Sequence, residues 1–334
     1  MGKILDKKKW SINLNIFLKN TFSFAIMMIF ILGFMKLFGE ENTLVGVCIY
    51  VGLIMFAECN TKMRLNSMLI VIFFCFVGSV LASNLNIYLP LEVAFVLNFI
   101  FVFIVMLLTS EPTYLKLNII MLLLFLFCQS VPVSKTQFNT RLAGTIIGTL
   151  LIMGYTYYHW KKKGYGGSDS KTLKEQIIAG WKYKSVCFRM AFGVSLSIIL
   201  TGYYGSIKPL WISLVVLSLT QFSTEDMVSR IKHRVLGTIL GAVFFVVVFT
   251  YLIPIKYGII VILLLGYLGY YFNEYKHKQF INAVSAINAS LVLFDSSATS
   301  AIYTRFESLF IGILIVLILF VVEVGFSFFK KEKV

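Results

Sequence analysis

Long apolar stretches recur along the whole chain, and they limit its fold more than any other sequence feature. Apolar residues make up 59% of the 334 residues and charged residues only 13%, whereas soluble domains contain about 45–50% and about 25% of these. Because a soluble fold cannot bury so much apolar surface, most of this chain requires lipid as its solvent. The sequence therefore predicts an all-α polytopic membrane protein.

The number of crossings follows from the length that a helix needs to span a bilayer, about 20 apolar residues and about 17 at the least. Twelve stretches approach this length, although several are short and carry polar residues that must face other helices or water. We expect about 12 transmembrane helices, with ten or eleven as the alternative. The predicted spans are 20–39, 43–58, 65–83, 91–109, 113–130, 140–159, 186–204, 209–222, 234–253, 256–272, 279–294 and 306–328.

The formal net charge of +15 could indicate either a nucleic-acid partner or the topology of a membrane protein. If the N-terminus starts in the cytoplasm, 24 of the 30 Lys and Arg residues fall on the cytoplasmic side. An excess of Lys and Arg in cytoplasmic loops is the usual pattern of multi-pass membrane proteins. We therefore expect the cell inner (cytoplasmic) membrane as the location, both termini in the cytoplasm, and no nucleic-acid partner.

A hydrophilic segment divides the predicted spans into two sets of six that resemble each other. With a shift of about 165–170 residues, Arg64 aligns with Arg234 and Arg141 with Arg305. Arg64 and Arg234 lie at predicted cytoplasmic ends, where snorkelling and topology explain them as well as a function would. Because six is even, the halves would be two parallel six-helix repeats related by an axis along the membrane normal. The predicted divisions are a cytoplasmic N-terminus at 1–19, a first membrane half at 20–159, a cytoplasmic linker at 160–184, a second membrane half at 185–328 and a cytoplasmic tail at 329–334.

A short motif with two glycines recurs in both halves. The sequences TRLAGTIIG at 140–148 and HRVLGTILG at 233–241 share an Arg, then Gly-Thr, then a second Gly. In a helix the two glycines lie on one face and let a neighbouring backbone come close. Tight helix packing therefore explains these glycines better than a substrate site does. The glycines that we assign to packing are Gly144, Gly148, Gly237, Gly241 and Gly312.

Arg141 and Arg305 differ from most other basic residues, since each begins an inward-running span at the predicted outer face. The charge bias of membrane loops does not explain them there, so each needs a partner in the protein or an anionic ligand. For Arg305, an ion pair with Asp295 or Glu307 and a substrate site are both open. For Arg141, which has no acid nearby in sequence, a substrate site is favoured.

No arrangement of residues in the sequence is typical of an enzyme. The five cysteines have no CxxC spacing, the three histidines are scattered, and there is no Walker A sequence. Nucleophilic, metal-dependent and ATP-driven chemistry each require such a set. We therefore expect no catalytic residues, no metal site and no cofactor.

The segment 208–245 contains a Trp in a short span, a polar turn, and then Arg-x-x-Gly-Thr-x-x-Gly at the start of the next span. This pattern resembles the fusaric acid resistance protein-like superfamily, which includes bacterial aromatic carboxylic acid exporters and, more distantly, plant aluminium-activated malate channels. The resemblance is strong over 185–328 and weak over 20–130. The short linker and tail indicate a compact, membrane-only member.

The resemblance implies a secondary transporter that exports small organic anions, such as aromatic carboxylic acids or related toxic compounds. Its pathway would lie between the two halves. The resemblance also implies a periplasmic adaptor protein of the membrane-fusion type as a partner, and homo-oligomerisation is left open. A passive anion channel of the same fold is the alternative function.

The candidate site residues follow from the chemistry of an aromatic carboxylate, which needs a cation for its charge and an apolar surface for its ring. An inside-negative voltage already favours outward movement of an anion, by about 2.3 kcal/mol per charge and 100 mV. Proton exchange could add to this, with Glu58 and Glu307 as the candidate proton carriers. The predicted substrate-binding residues are Arg141, Arg305, Arg189, Lys19 and Trp211.

Overall fold

The computed structural model describes residues 14–167, 170–204, 209–272, 274–294 and 297–331. Within these ranges the chain is helical and contains no β-strand. The predicted all-α fold class is therefore confirmed. The first thirteen residues and residues 332–334, which belong to the predicted N-terminus and tail, lie outside the described residues.

The described residues form thirteen α-helices, and each of the twelve predicted spans coincides with one of them. The additional helix, α7, lies in the predicted linker. The helices are α1 (Leu14–Phe38), α2 (Thr43–Glu58), α3 (Leu65–Leu85), α4 (Leu91–Thr109), α5 (Leu117–Ser130), α6 (Lys135–Lys162), α7 (Leu173–Trp181), α8 (Lys184–Tyr204), α9 (Pro209–Leu219), α10 (Thr224–Val247), α11 (Gly258–Leu268), α12 (Tyr275–Phe294) and α13 (Ala298–Lys331).

Six of the described helices are long and apolar enough to cross a membrane, namely α1, α2 with its preceding turn, α3, α4, α8 and α13. The helices α5, α9 and α11 are apolar but shorter, and α6, α10 and α12 carry polar or charged residues in their first turns. Short or polar helices can occur at membrane depth where they pack against other parts of the protein. The protein is thus a helical membrane protein, while the count of twelve crossings stays a prediction.

The linker between the halves contains a well-defined helix that is fastened to the end of α4. Thr172 and Glu175 form a capping box at the start of α7, which satisfies backbone donors there, and the hydrogen bonds from Thr172 lower the pKa of Glu175. Farther along α7, the buried Gln176 donates through Nε2 to the carbonyl oxygens of Leu108, at 3.0 Å, and Glu111, at 2.6 Å. The linker therefore packs as part of the first half.

Equivalent helix pairs pack together in the two halves. The pairs α1–α2, α2–α6 and α3–α5 contact in the first half, and their counterparts α8–α9, α9–α13 and α10–α12 contact in the second. The pairings also differ in places: α2 packs against α5, for example, whereas a cavity lies between the corresponding helices α9 and α12. The shared pairings support a duplicated sequence, which stays a prediction.

The halves meet along two unequal seams. On one side α4 packs closely against α8, and α5 against α9, with edge-to-face ring pairs such as Phe99 and Phe188, whose centroids are 5.4 Å apart. On the other side α1 barely touches α11. That thin seam is held by a hydrogen bond of 2.8 Å between the hydroxyl groups of Thr21 and Tyr267.

The glycines assigned to packing all face neighbouring helices. A Cβ built on any of them would come within 2.9 Å of an atom of another helix, so each position has room for glycine alone. At Gly241 on α10 the nearest atom is the Cβ of Ala283 on α12, 2.7 Å away. The five positions are Gly144, Gly148, Gly237, Gly241 and Gly312.

Replacing Gly241 by Ala is expected to destabilise the folded protein by about 1–3 kcal/mol, because α10 and α12 would have to move apart. Gly154→Ala is the matched control, since a Cβ at Gly154 meets no atom within 4 Å and Ala favours the helix by up to about 1 kcal/mol. Thermal unfolding of both purified variants in detergent measures the difference. Equal melting midpoints would contradict close packing of α10 on α12.

Candidate functional site

A cavity of about 670 Å³ lies between α5, α9, α10, α12 and α13. Near the N-terminal ends of α10 and α12, which are the predicted cytoplasmic ends, it is lined by Arg230, Tyr275 and Lys278. Near the N-terminal ends of α9 and α13, which are predicted to lie at the outer side, it is lined by Trp211 and Arg305. The lining residues of this cavity therefore lie near both predicted ends of the bundle.

The charges around this cavity are all of one sign. Its described lining includes four basic side chains and no Asp or Glu. Like charges that share a cavity repel one another, and removal from water makes the repulsion stronger. The basic lining residues are Arg230, Arg234, Lys278 and Arg305.

Arg305 and Arg234 are the two buried cations of the described lining. The guanidinium carbon of Arg305 lies 5.0 Å from the centroid of the Trp211 ring. The neighbouring Glu307 points away, since its side chain is exposed and forms no salt bridge within the described ranges. Asp295, the other predicted partner, lies outside the described residues. Among the described residues, Arg305 has a ring contact but no hydrogen bond or ion pair.

Arg234 and Arg230 lie one turn apart on the same face of α10. The guanidinium of Arg234 donates to the hydroxyl of Ser218, and that of Arg230 donates to the carbonyl of Ser218 at 3.1 Å. The guanidinium carbon of Arg230 also lies 4.7 Å from the centroid of the Tyr275 ring. The close approach of Gly237 to α12 brings this face of α10 against α12, so packing of the glycine motif positions the arginines.

The positive field continues beyond the mouth of the cavity. Lys116 precedes α5, and its ammonium lies 3.8 Å from the carboxylate of Asp226 at the start of α10. This ion pair joins a lysine of the first half to the start of α10 in the second half.

Arg141 occupies the equivalent position in the first half, but the protein itself satisfies it. Its Nε donates to the side-chain oxygen of Asn42 at 2.7 Å. Its terminal nitrogens donate to the carbonyl oxygens of Val131 at 2.8 Å, Glu41 at 3.1 Å and Cys128 at 3.4 Å. These bonds tie the end of α5 to the start of α2, and Arg141 lies outside the cavity.

Arg189 is paired with an acid of the protein. Its Nε lies 2.6 Å from a carboxylate oxygen of Glu323 on α13, and a terminal nitrogen donates to the carbonyl of Gln221 at 3.4 Å. The hydroxyl of Ser185 donates to the other carboxylate oxygen of Glu323. Three further predicted site residues are exposed and lie outside the cavity: Lys19, Glu58 and Glu307.

The cavity thus brings together two of the predicted substrate-binding residues, Arg305 and Trp211, and adds others that sequence reasoning missed. A signal for these exists in the helical spacing. On α10 two arginines are four residues apart, and on α12 the polar residues recur at intervals of three or four, so each set lies on one face. The missed lining residues are Arg230, Arg234, Tyr275, Lys278, Gln279 and Asn282.

Comparison with known protein families finds a match within the second half of the chain. Residues 196–319 match the family described as fusaric acid resistance protein-like. No match is found among curated proteins or among solved structures. The matched residues include Trp211 and all four basic residues of the cavity.

This match confirms the family resemblance that the sequence predicts. Together with the six helices that are long and apolar enough to cross a membrane, it indicates a membrane transport protein. Residues 196–319 are therefore similar to the fusaric acid resistance protein-like family, and this part of the chain supplies all four basic residues of the described cavity lining.

Proposed function

We propose that the protein is a secondary transporter of the inner membrane that exports small organic anions, in particular aromatic carboxylic acids. The observation that carries this proposal is the cavity between α5 of the first half and four helices of the second half, whose described lining has four basic side chains and no acidic one. In the predicted topology, with both termini in the cytoplasm, Arg230 and Lys278 lie at the cytoplasmic end of this cavity.

An anion is the ligand that this cavity favours. A buried guanidinium is costly unless a charge or hydrogen bonds compensate it, and Arg305 has only its contact with the Trp211 ring among the described residues. An arginine can bind a carboxylate through two parallel hydrogen bonds. A carboxylate beside Arg305 would also reduce the repulsion between Arg305 and Arg234.

Aromatic surface favours an acid that carries a ring. Trp211 lies beside Arg305, while Phe127 of α5 and Tyr275 of α12 line other parts of the cavity. Aromatic pairs stabilise each other by about 0.5–1.5 kcal/mol beyond the area that they bury. The combination of a cation with adjacent rings suits a benzoate-like ion better than a small aliphatic anion.

The energy for export comes from the membrane voltage in this proposal. An inside-negative potential favours an outgoing anion by about 2.3 kcal/mol per charge and 100 mV. The two predicted proton carriers, Glu58 and Glu307, are exposed and outside the cavity, so no proton step through them is needed. The close α4–α8 seam and the thin α1–α11 seam suit a rocking motion of one half against the other.

The proposal gives the basic residues and Trp211 different roles. Arg305, Arg234 and Trp211 bind the substrate, and Arg230 and Lys278 attract it at the entrance. Arg141 and Arg189 hold helices together through the partners that they already have. Lys19 takes no part in binding.

Arg305→Gln and Arg234→Gln are each expected to weaken transport of labelled 4-hydroxybenzoate by tenfold or more, measured as the KM in proteoliposomes. A hydrogen bond to a charged group is worth about 1.5–3 kcal/mol, which corresponds to about 10- to 100-fold in affinity. Lys19→Gln is the control, because it removes the same charge from an exposed position outside the cavity. Wild-type KM values for both arginine variants would contradict the proposed site.

A second measurement separates the transporter from the passive channel. We expect the flux of 4-hydroxybenzoate through the reconstituted protein to saturate with substrate and to follow the voltage, without unitary currents in planar bilayers. The physical reason is that a transporter exposes its site to one side of the membrane at a time, so that each rocking cycle moves substrate without opening a continuous pore. Discrete single-channel currents carried by the anion would contradict the transporter and support the passive channel.

A further inference from the structure

A second cavity lies on the other faces of α5 and α9. It has a volume of about 230 Å³ and is enclosed by α3, α4, α5, α8 and α9. Its described lining contains no charged side chain, in contrast to the cationic cavity. Because it is bounded by the end of α3, the end of α5 and the start of α9, the predicted topology places it at the outer side.

Three amide side chains converge in this neutral cavity. Asn98 of α4 is completely buried, and its Oδ1 accepts hydrogen bonds from the amide of Asn86 and, at 3.4 Å, from that of Gln129. The Nδ2 of Asn98 and the Oδ1 of Asn86 have no hydrogen-bond partner among the described residues. The cavity therefore contains one buried hydrogen-bond donor group and one buried acceptor without a partner among the described residues.

Buried polar atoms without a hydrogen-bond partner destabilise the folded state. Each costs about 1–3 kcal/mol when it is buried without a partner, and native proteins contain few of them. Here the two atoms belong to neighbouring amides that both line the same cavity. The remaining walls are mostly apolar, with Leu91, Leu126 and Leu210 among them.

The two cavities are separated by the contact of α5 with α9. Phe127 and Trp211 face the cationic cavity, whereas Leu126 and Ser213, on other faces of the same two helices, line the neutral one. A ligand can pass from one cavity to the other only where these helices move.

We propose that the neutral cavity is a second binding site, for a small apolar molecule that carries an uncharged carboxamide or a protonated carboxyl group. Such a group offers one donor and one acceptor side by side, which is what the Asn98 and Asn86 amides leave unmatched. A carboxylate anion is excluded, because nothing charged in the described lining offsets the cost of its burial. This site is independent of the cationic cavity and holds whether or not that cavity transports anions.

The test is equilibrium dialysis of labelled benzamide against the purified full-length protein in detergent. We expect saturable binding by the wild type, and binding at least tenfold weaker for Asn98→Leu and for Gln129→Met, which keep the shape of each side chain but remove its amide. Asn118→Leu is the matched control, because Asn118 is a buried amide of α5 that lines neither cavity. Benzamide binding by this control and by Arg305→Gln should stay at the wild-type level.

Two further readouts keep the result unambiguous. Gel filtration and the melting midpoint of each variant establish that the fold is retained, and a variant that fails either is replaced by Asn86→Leu. Competition of benzoate against labelled benzamide as the pH falls separates the two ligand forms at this site: displacement that appears only in acidic buffer assigns the protonated acid, and its absence restricts the site to carboxamides. No benzamide binding by the wild type, unchanged binding by Asn98→Leu, or an equal loss in Asn118→Leu would overturn the proposal.

Discussion

The burial of the Arg305 guanidinium is the interaction on which the account of this protein depends. Arginine keeps its charge under all physiological conditions, and removing that charge from water costs several kcal/mol unless something compensates it. The Trp211 ring at 5.0 Å supplies part of the compensation, since cation–π contacts are worth about 0.5–2 kcal/mol. In the proposed function a bound anion supplies the larger part, and the three other basic residues in the described lining of the cavity add to the positive charge that the anion would offset.

The two halves of the chain use the same arginine position in opposite ways. In the first half α2 packs on α5, and the backbone carbonyls at the ends of these helices surround Arg141. In the second half the equivalent helices, α9 and α12, enclose the cavity, and Arg305 lies open to it. Arg141 is therefore held by the protein, while Arg305 is left facing the cavity of the proposed site. If the halves arose by duplication, as the sequence predicts, the contact between these helices has diverged.

The sequence predicts the fold well, because apolar length and glycine spacing act locally. Every predicted span coincides with a helix, and Gly241, assigned to packing from its spacing alone, does lie against Ala283. The site is predicted only in part. Arg234 and Lys278 follow the general charge bias of membrane loops, so the sequence does not distinguish them from other basic residues, and only the packing of α10 on α12 places them in the same cavity as Arg305. For Arg141 the sequence favours a substrate site because no acid is nearby. Three of its four hydrogen bonds go to backbone carbonyls, and the residue types in a sequence do not indicate such partners.

The most direct measurement of the central claim is an experimental structure of the protein with 4-iodobenzoate, whose iodine marks the ring through its strong anomalous scattering. The account predicts the iodine in the cavity between α5, α9 and α12, with the carboxylate bonded to Arg305 and the ring against Trp211. A ligand bound elsewhere, or an acidic side chain of the protein occupying the place of the carboxylate beside Arg305, would contradict it.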